Sequence, residues 1–330
     1  MPSRIRRLVA GGAAPAPDPA GENVFWTLHT ATGFQNARSA AWSPAQSTFV
    51  AVSGFNSTSA ATTSPDGITW TTRTTPIDNG WTGVAWDATI GLFAAVAGSG
   101  AGSRIMTSPD GITWTARTAP AVLSWTAITS GNGLFVAVAG DGVGNGVMTS
   151  TDGITWTSRV PAADQYWDGI AHSPALGLYA ACSYDGTANQ IMTSPDGITW
   201  TLRTTIAGGM SGITWSPEKA LFVGVGSDNT DMGTFTSSDG ITWVFTLMEA
   251  GVTNESYNVA WSAVGGIFVA IGGAAPSNIL HISSDGLAWE QHNGGRVDGN
   301  GEYAIAVNPA SGVIVVPQAD TSGLVMRHAP

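Results

Sequence analysis

Short apolar runs separated by turn residues follow one another along the chain, and none has the 3.6-residue period of an amphipathic helix. One representative unit places such runs at residues 84–86, 92–96, 104–107 and 112–115. The first two runs are apolar at consecutive positions, which is typical of strands that lie between neighbouring sheets. The pattern therefore predicts units of four short strands.

The unit is repeated along the chain. Ser-Pro-Asp-Gly-Ile-Thr-Trp at residues 64–70 recurs, with small changes, at residues 108–114, 150–156, 194–200, 237–243 and 283–289, and Trp26 supplies a seventh tryptophan without the preceding turn. The seven tryptophans are separated by 44, 44, 42, 44, 43 and 46 residues. Repeats of this length with four strands each are typical of β-propeller blades.

The two ends of the repeat region complement each other. After Trp289 the chain offers three strands, at residues 303–307, 313–316 and 324–327, and the missing fourth is predicted at residues 24–29. We therefore predict an all-β, seven-bladed β-propeller over residues 22–330, with four antiparallel strands per blade. The N-terminal strand is expected to join the C-terminal blade and close the ring, which removes exposed sheet edges.

The recurrent Ser-Pro-Asp-Gly segment has the composition of a turn. Proline pre-sets φ, aspartate can accept nearby backbone N–H groups, and glycine supplies a left-handed position. An active site needs one asymmetric constellation, whereas this carboxylate recurs in six copies. The sequence therefore predicts a structural turn role, rather than catalysis or metal binding, for Asp66, Asp110, Asp152, Asp196, Asp239 and Asp285.

Across residues 22–330 these repeats resemble the Asp-box repeats of sialidases and of many bacterial and phage-encoded propellers. The resemblance implies that the box is a folding element remote from any active site. A sialidase requires an arginine triad, but Arg73, Arg117, Arg159 and Arg203 share one repeated outer-strand position and cannot converge. Only Arg38, Arg104 and Arg296 are irregular, so we expect no sialidase activity. Similar repeats occur in photosystem II assembly factors and in phage tail or virion proteins.

Residues 1–21 differ from the repeat region and are predicted to be an extended docking arm. They combine basic residues with alternating alanine and proline, which favours a semi-rigid spacer. A disordered tail and a secretory signal are the alternatives, although the apolar run is short for a signal. In the docking interpretation, the residues that contact a partner are Arg4, Ile5, Arg6, Arg7, Leu8 and Val9.

The composition and charge of the chain exclude several classes of protein and of binding site. The 330 residues are 43% hydrophobic and 11% charged, with a net charge of −11, which excludes wholesale disorder and argues against a nucleic-acid partner. No apolar run is long enough to span a bilayer. The single cysteine, Cys182, permits neither an internal disulfide nor a cysteine zinc cluster. No cofactor motif is present, and residues 227–231 offer oxygen ligands of the kind calcium prefers without a full calcium-loop signature.

The loops that enter each first strand and join the second strand to the third vary most, so their face is the expected functional face. Trp81, Trp125 and Trp167 share one position just before the first strand, beside Tyr166. They form a candidate glycan-stacking rim, with packing between blades as the alternative. Acidic residues are also concentrated on this face. They are explained either by ordinary solvation of exposed loops or by the binding of a cation or of a partner with a basic patch. They are Asp78, Asp141, Asp164, Asp168, Asp185, Asp228, Asp231, Glu249, Glu255, Asp298, Glu302 and Asp320.

These observations predict a non-enzymatic structural or adhesion propeller of a phage virion, such as a capsid decoration, tail appendage or receptor binder. Its partners would be other virion or assembly proteins through residues 1–21, and a host glycan or receptor on the variable-loop face. The alternative is a secreted glycan-binding or glycoside-cleaving propeller. An assembly factor for a bacterial membrane complex is a third interpretation.

Overall fold

The computed structural model describes residues 9–10, 26–30, 36–54, 60–100, 102–142, 144–185, 189–205, 208–228, 231–249, 258–272, 279–293, 304–317 and 324–328. These residues form strands, turns and loops arranged as seven sheets. No helix long and apolar enough to cross a membrane occurs among them. The predicted all-β, seven-bladed propeller is confirmed.

Six blades are meanders of four antiparallel strands. Blades 1–3 are β3 (Ala37–Ser43), β4 (Thr48–Ser53), β5 (Ala61–Ser64), β6 (Thr71–Arg73); β7 (Asn79–Asp87), β8 (Leu92–Gly100), β9 (Ile105–Ser108), β10 (Thr115–Arg117); and β11 (Trp125–Gly131), β12 (Leu134–Ala139), β13 (Val147–Ser150), β14 (Thr157–Arg159). Blades 4–6 are β15 (Trp167–Ser173), β16 (Leu178–Ser183), β17 (Ile191–Ser194), β18 (Thr201–Arg203); β19 (Gly209–Ser216), β20 (Leu221–Ser227), β21 (Met232–Ser237), β22 (Val244–Glu249); and β23 (Asn258–Ser262), β24 (Ile267–Gly272), β25 (Ile279–Ser283), β26 (Glu290–Asn293).

Blade 7 combines the two ends of the chain. Its strands are β27 (Ala306–Val307), β28 (Ile314–Pro317), β29 (Leu324–His328), β2 (Trp26–Thr30) and β1 (Val9–Ala10), in the order β27-β28-β29-β2-β1. Strand β2 runs antiparallel to β29, with Trp26 opposite His328 and Thr30 opposite Leu324. Strand β1 pairs with β2 in parallel, so this sheet has a fifth strand that the sequence pattern did not predict.

The fourth strands begin later than predicted. The sequence pattern placed one at residues 112–115, whereas β10 begins at Thr115. The cause is the turn before it: Oδ1 of Asp110 accepts the N–H groups of Ile112 and Thr113, both at 2.8 Å. Residues 109–113 are therefore bent loop, and Trp114 lies before the outermost strand rather than in it.

The tryptophan that follows a described Ser-Pro-Asp-Gly-type turn packs inward. Trp114 is buried, donates from Nε1 to the carbonyl oxygen of Gly111 at 3.0 Å, and lies 6.5 Å from the ring of Phe93. Gly111 has φ +73°, and a Cβ atom there would lie 2.6 Å from Cγ2 of Val50 in the preceding blade. The turn therefore needs glycine for both its conformation and its contact with the neighbouring blade.

The core is a series of apolar layers between successive blades. The layer between blades 1 and 2, for example, joins Val50 and Val52 to Trp81, Phe93 and Trp114. Second-strand residues such as Phe93 and Val96 are fully buried, as expected for strands covered on both faces. This packing holds the first strands around a central channel.

Candidate functional site

A β-bulge occurs near the start of five described first strands. Register shifts fall between Ala37 and Ser39 in blade 1, and at the equivalent place in blades 2–5. The skipped residue is left out of the ladder, and such bulges commonly re-aim a side chain. The five residues at the skipped position are Arg38, Thr82, Thr126, Asp168 and Ser211.

These five residues line one cavity of about 450 Å³ in the central channel. We call them, together with Tyr184, the channel mouth. They lie where the variable loops enter the first strands, so the cavity opens on the face that the sequence predicted to be functional. One step deeper the lining becomes apolar, with Val84, Ile128, Ile170 and Ile213. The cavity therefore has a polar mouth and an apolar interior.

The two threonines of the mouth are engaged in holding the ring together. The Thr82 hydroxyl donates to the carbonyl oxygen of Trp125 in blade 3, and the Thr126 hydroxyl donates to that of Trp167 in blade 4. Their equivalents in blades 1 and 4 are Arg38 and Asp168, which bring opposite charges to the same level of the channel. The mouth is thus asymmetric although the scaffold is repetitive.

Asp168 is positioned by its own blade. Its Oδ2 atom accepts the backbone N–H of Tyr184 at 3.1 Å. The Tyr184 ring in turn packs on Gly209, where a Cβ atom would lie 2.9 Å from Cδ2 of the ring. Burial, and then the charge of Asp168, raise the pKa of the Cys182 thiol. Cys182 is therefore a protonated core residue beneath the mouth.

The predicted tryptophan rim is wrong. Trp81, Trp125 and Trp167 are all 0% exposed, so they cannot stack on a sugar. The bulge explains this: the residue after each tryptophan turns toward the channel, while the indole enters the layer shared with the preceding blade. Trp125, for example, packs with Val96 and Ile105 of blade 2. Of the four rim candidates only Tyr166, at 55%, is exposed.

Three acidic loop residues within the described ranges accept backbone N–H groups of their own loop or of the neighbouring loop. Asp141 accepts the N–H of Ser124, Asp185 that of Tyr166 at 3.0 Å, and Asp228 that of Asp231 at 2.8 Å. Within the described part of the chain, no three His, Cys, Asp or Glu residues are grouped as a metal site. The side chain of Glu249 and all of Glu255, Asp298, Glu302 and Asp320 lie outside it, as do two residues of the 227–231 calcium candidate.

The recurrent aspartates close their own turns. Oδ1 of Asp152 accepts the N–H groups of Ile154 and Thr155 at 2.7 Å, and Ser150 donates to it at 3.0 Å. The hydrogen bonds from Thr155 and then Ile154 lower the pKa of the Asp152 carboxyl. The other turns make the same two backbone bonds, through Asp66, Asp110, Asp196, Asp239 and Asp285.

Each repeated arginine joins the outermost strand of its blade to the strand beside it. Nε of Arg117 donates to Oγ1 of Thr107 at 2.9 Å, and Arg73, Arg159 and Arg203 make the equivalent bond. Arg104 donates to the carbonyl oxygens of Leu123 and Gly98 at 2.7 and 3.1 Å, which ties blade 2 to the loop after it. Arg38 is the arginine that lines the cavity, and Arg296 lies outside the described ranges.

The predicted docking arm lies almost wholly outside the described residues. This holds for Arg4, Ile5, Arg6, Arg7 and Leu8, whereas the backbone of Val9 is part of β1. Val9 is opposite Thr27 and Ala10 opposite Leu28. The docking role of the arm stays a prediction.

The likeness of the chain to solved proteins is one of fold. Virginiamycin B lyase from Staphylococcus aureus matches with a TM-score of 0.71 at 14% sequence identity, over 93% of this chain and 100% of that chain. A streptogramin B lyase gives 0.70 at 9% identity, over 93% and 98%. YCF48 bound to D1 peptide gives 0.64 at 16% identity, over 94% and 96%. No protein-family model and no curated protein matches the chain.

The sequence analysis named Arg38 and Asp168 separately, but it did not place them in one site. A comparison of the first strands of blades 1–5 could have found the pair. The residue that follows the buried position in these strands is Arg38, Thr82, Thr126, Asp168 and Ser211, in order. Among these five positions, two opposite charges occur beside three small hydroxyl residues, and this contrast would have identified the pair. The bulge that turns this column toward the channel is a tertiary feature and was not visible in the sequence pattern.

Proposed function

We propose that this protein is a non-enzymatic binding propeller that holds an extended segment of a partner protein across its channel mouth. The observation that carries the proposal is a cavity of about 450 Å³ that has an asymmetric polar mouth and apolar side chains deeper in its lining. A concave site with a few placed polar groups over an apolar interior is the usual form of a binding pocket. Variable loops on a rigid ring surround it, as in many recognition surfaces.

The chemistry of the lining favours binding over catalysis. Glycoside cleavage generally uses two carboxylates that face each other, and the described lining contributes one, Asp168. Nucleophilic catalysis needs a base beside the nucleophile, and the described lining includes no histidine or cysteine. The hydroxyl groups of Thr82 and Thr126 are already used between blades.

The solved relatives supply both precedents. The lyases show that this fold can carry an enzyme, and YCF48 bound to D1 peptide shows that it can hold a peptide. Function belongs to sites rather than to folds. We give more weight to the peptide-bound precedent because the cavity of this chain has the size and polarity of a binding pocket.

The setting that we propose is a phage virion, joined through the basic, proline-rich arm. This part of the proposal rests on the sequence of residues 1–21 and on the resemblance of the repeats to virion-encoded propellers. The glycan alternative has lost its tryptophan platform, because the three indoles are buried.

The proposal is tested by selecting a displayed library of random peptides against the immobilised full-length protein. The wild type is expected to enrich a family of related peptides. Replacing Arg38 and Asp168 together by Gln and Asn should weaken the selected peptides about tenfold or more, since charge-assisted hydrogen bonds contribute roughly 1.5–3 kcal/mol each. Arg117→Gln with Asp164→Asn is the matched control outside the cavity. Enrichment by all three proteins alike would contradict the site.

A further inference from the structure

The channel mouth carries its two charges on opposite sides. Arg38 belongs to blade 1 and Asp168 to blade 4, and three blades is the largest separation that a ring of seven permits. The other described bulge positions carry hydroxyl groups, on Thr82, Thr126 and Ser211. A ligand that crosses this mouth therefore meets a positive side and a negative side.

The positive side is built into the backbone of blade 1. A Cβ atom at Gly54 would lie 2.6 Å from Nε and 2.8 Å from Cγ of Arg38, so the arginine stem lies directly on this glycine. Gly54 is itself held, because its N–H donates to the carbonyl oxygen of Asn36 at 3.0 Å. The stem of Arg38 is thus placed by close packing on the backbone of its own blade.

The negative side is equally defined. The hydrogen bond from the Tyr184 N–H sets the direction of the Asp168 carboxylate, and Gly209 makes room for the tyrosine ring beside it. Between the two charged sides the deeper lining is apolar, through Val84, Ile128 and Ile213. A path across the mouth therefore passes from the Arg38 cation, over the apolar depression, to the Asp168 anion.

We infer that the mouth selects peptide segments in which one acidic and one basic side chain flank an apolar residue. The acidic group is placed against Arg38, the basic group against Asp168, and the apolar side chain enters the channel. This inference rests on the proposed function and adds the ligand class and its direction across the ring. A cavity of about 450 Å³ accommodates a few residues rather than a folded domain.

The charge pair also argues against two other ligand classes. A polyanion or a free phosphate would gain from Arg38 but would be repelled by Asp168 and by the net charge of −11. A wholly apolar segment would make no hydrogen bond or charge contact with Arg38 or Asp168, so it gains nothing from the two charged sides. Complementary charges give specificity and orientation, and their effect weakens as salt screens them.

The test compares the peptides selected by the wild type with those selected by Arg38→Gln and by Asp168→Asn. Both substitutions keep the approximate shape, and the amide oxygen introduced by Asp168→Asn can still accept the Tyr184 N–H. The wild type should enrich acidic and basic residues at a fixed spacing around an apolar one. Arg38→Gln should lose only the acidic preference, and Asp168→Asn only the basic one, each with about tenfold weaker binding to the wild-type peptides.

Arg117→Gln and Asp164→Asn serve as matched controls and should keep both preferences, with circular dichroism confirming that all variants fold. Enriched peptides without a charge pattern, or a pattern that both mouth variants retain, would overturn the inference while leaving the binding proposal standing. No enrichment by the wild type would overturn the binding proposal itself. Binding to a glycan array with no peptide enrichment would replace both.

Discussion

At the scale of single residues, neighbours in the sequence have opposite roles. Trp125 and Thr126 are adjacent, yet the indole is fully buried against blade 2 while the hydroxyl reaches the channel and the next blade. The bulge, which leaves Thr126 out of the ladder between Trp125 and Ala127, makes this division. The conspicuous tryptophan therefore has a structural role, and the threonine that follows it lines the candidate site.

Replacing Trp125 by Ala should lower the free energy of unfolding by about 3–5 kcal/mol, the usual cost of emptying a large aromatic site in a core. Tyr166→Ala is the matched comparison, because this ring is more than half exposed, and it should change stability by less than about 1 kcal/mol. Urea denaturation followed by tryptophan fluorescence measures both. Similar small effects for the two variants would contradict the burial of the indole.

A second residue-scale feature lies between blades 3 and 4. A Cβ atom at Gly131 would overlap the ring of His172, and Gly131 also accepts a hydrogen bond of 2.6 Å from the hydroxyl of Tyr179. Burial, and then the charge of Asp87, raise the pKa of Tyr179 to about 12, so this hydroxyl remains a donor at neutral pH. Burial lowers the pKa of His172, which favours its neutral form.

Gly131→Ala should therefore destabilise the protein by about 1–3 kcal/mol through overpacking. His172→Ala removes the opposing ring, so the double variant should be less unstable than the sum of the two single changes. A coupling of about 0.5–3 kcal/mol in the double-mutant cycle is expected from urea midpoints. Additive effects would mean that the glycine is not required by this contact.

At the scale of elements, the turn before each outermost strand is the repeated stabilising device. Asp152 and its equivalents bind two backbone N–H groups each, and the glycine that follows touches the preceding blade. The sequence predicted the existence and composition of these turns. It placed the fourth strand too early, because the aspartate draws the next two residues into the loop and the strand starts only after the tryptophan.

These turns predict the behaviour of the protein in acid. The pKa of Asp152 is lowered in the folded protein, so the folded state binds fewer protons and its stability is fully present above the ordinary aspartate pKa of about 3.9. Stability should fall as the pH drops below that value and through the lowered folded pKa. Melting temperatures between about pH 7 and pH 3 would measure this decline.

The Asp152→Asn variant should show a shallower decline than the wild type, since one of the six titrating turns is removed. At neutral pH the same variant should differ from the wild type by less than about 1 kcal/mol, because the amide oxygen can still accept both N–H groups, as Asn and Asp cap helices about equally well. Asp164→Asn, an exposed loop residue, is the control and should follow the wild-type curve. A wild-type curve that rises toward acid would contradict the account.

At the scale of the whole molecule, both ends of the chain meet in blade 7. Strand β2 is its fourth strand, and β1 adds two paired residues at the outer edge. The repeat period and the missing C-terminal strand were readable from the sequence, and they predicted this blade. The parallel strand β1 was not readable, because two residues carry no periodic pattern.

Two truncations distinguish the role of the arm from that of the closing strand β2. Removing residues 1–30 deletes β2, so the protein should lose its cooperative melting transition or aggregate through the exposed edge of β29. Of the residues that the structure describes, removal of residues 1–19 takes away the two of β1, and the ring should stay folded but fail to join its assembly. Circular dichroism and particle incorporation are the measurements. Retained incorporation of the shorter truncation would refute the docking role.

The central claim is that partner recognition takes place at the channel mouth. Its most direct test is a crystal structure of the full-length protein with a peptide that the wild type selects. We predict that the peptide crosses the ring between blades 1 and 4, with an acidic group on Arg38, a basic group on Asp168 and an apolar side chain in the channel. A peptide bound on the face of the Ser-Pro-Asp-Gly turns, or along the outer strands, would contradict the account.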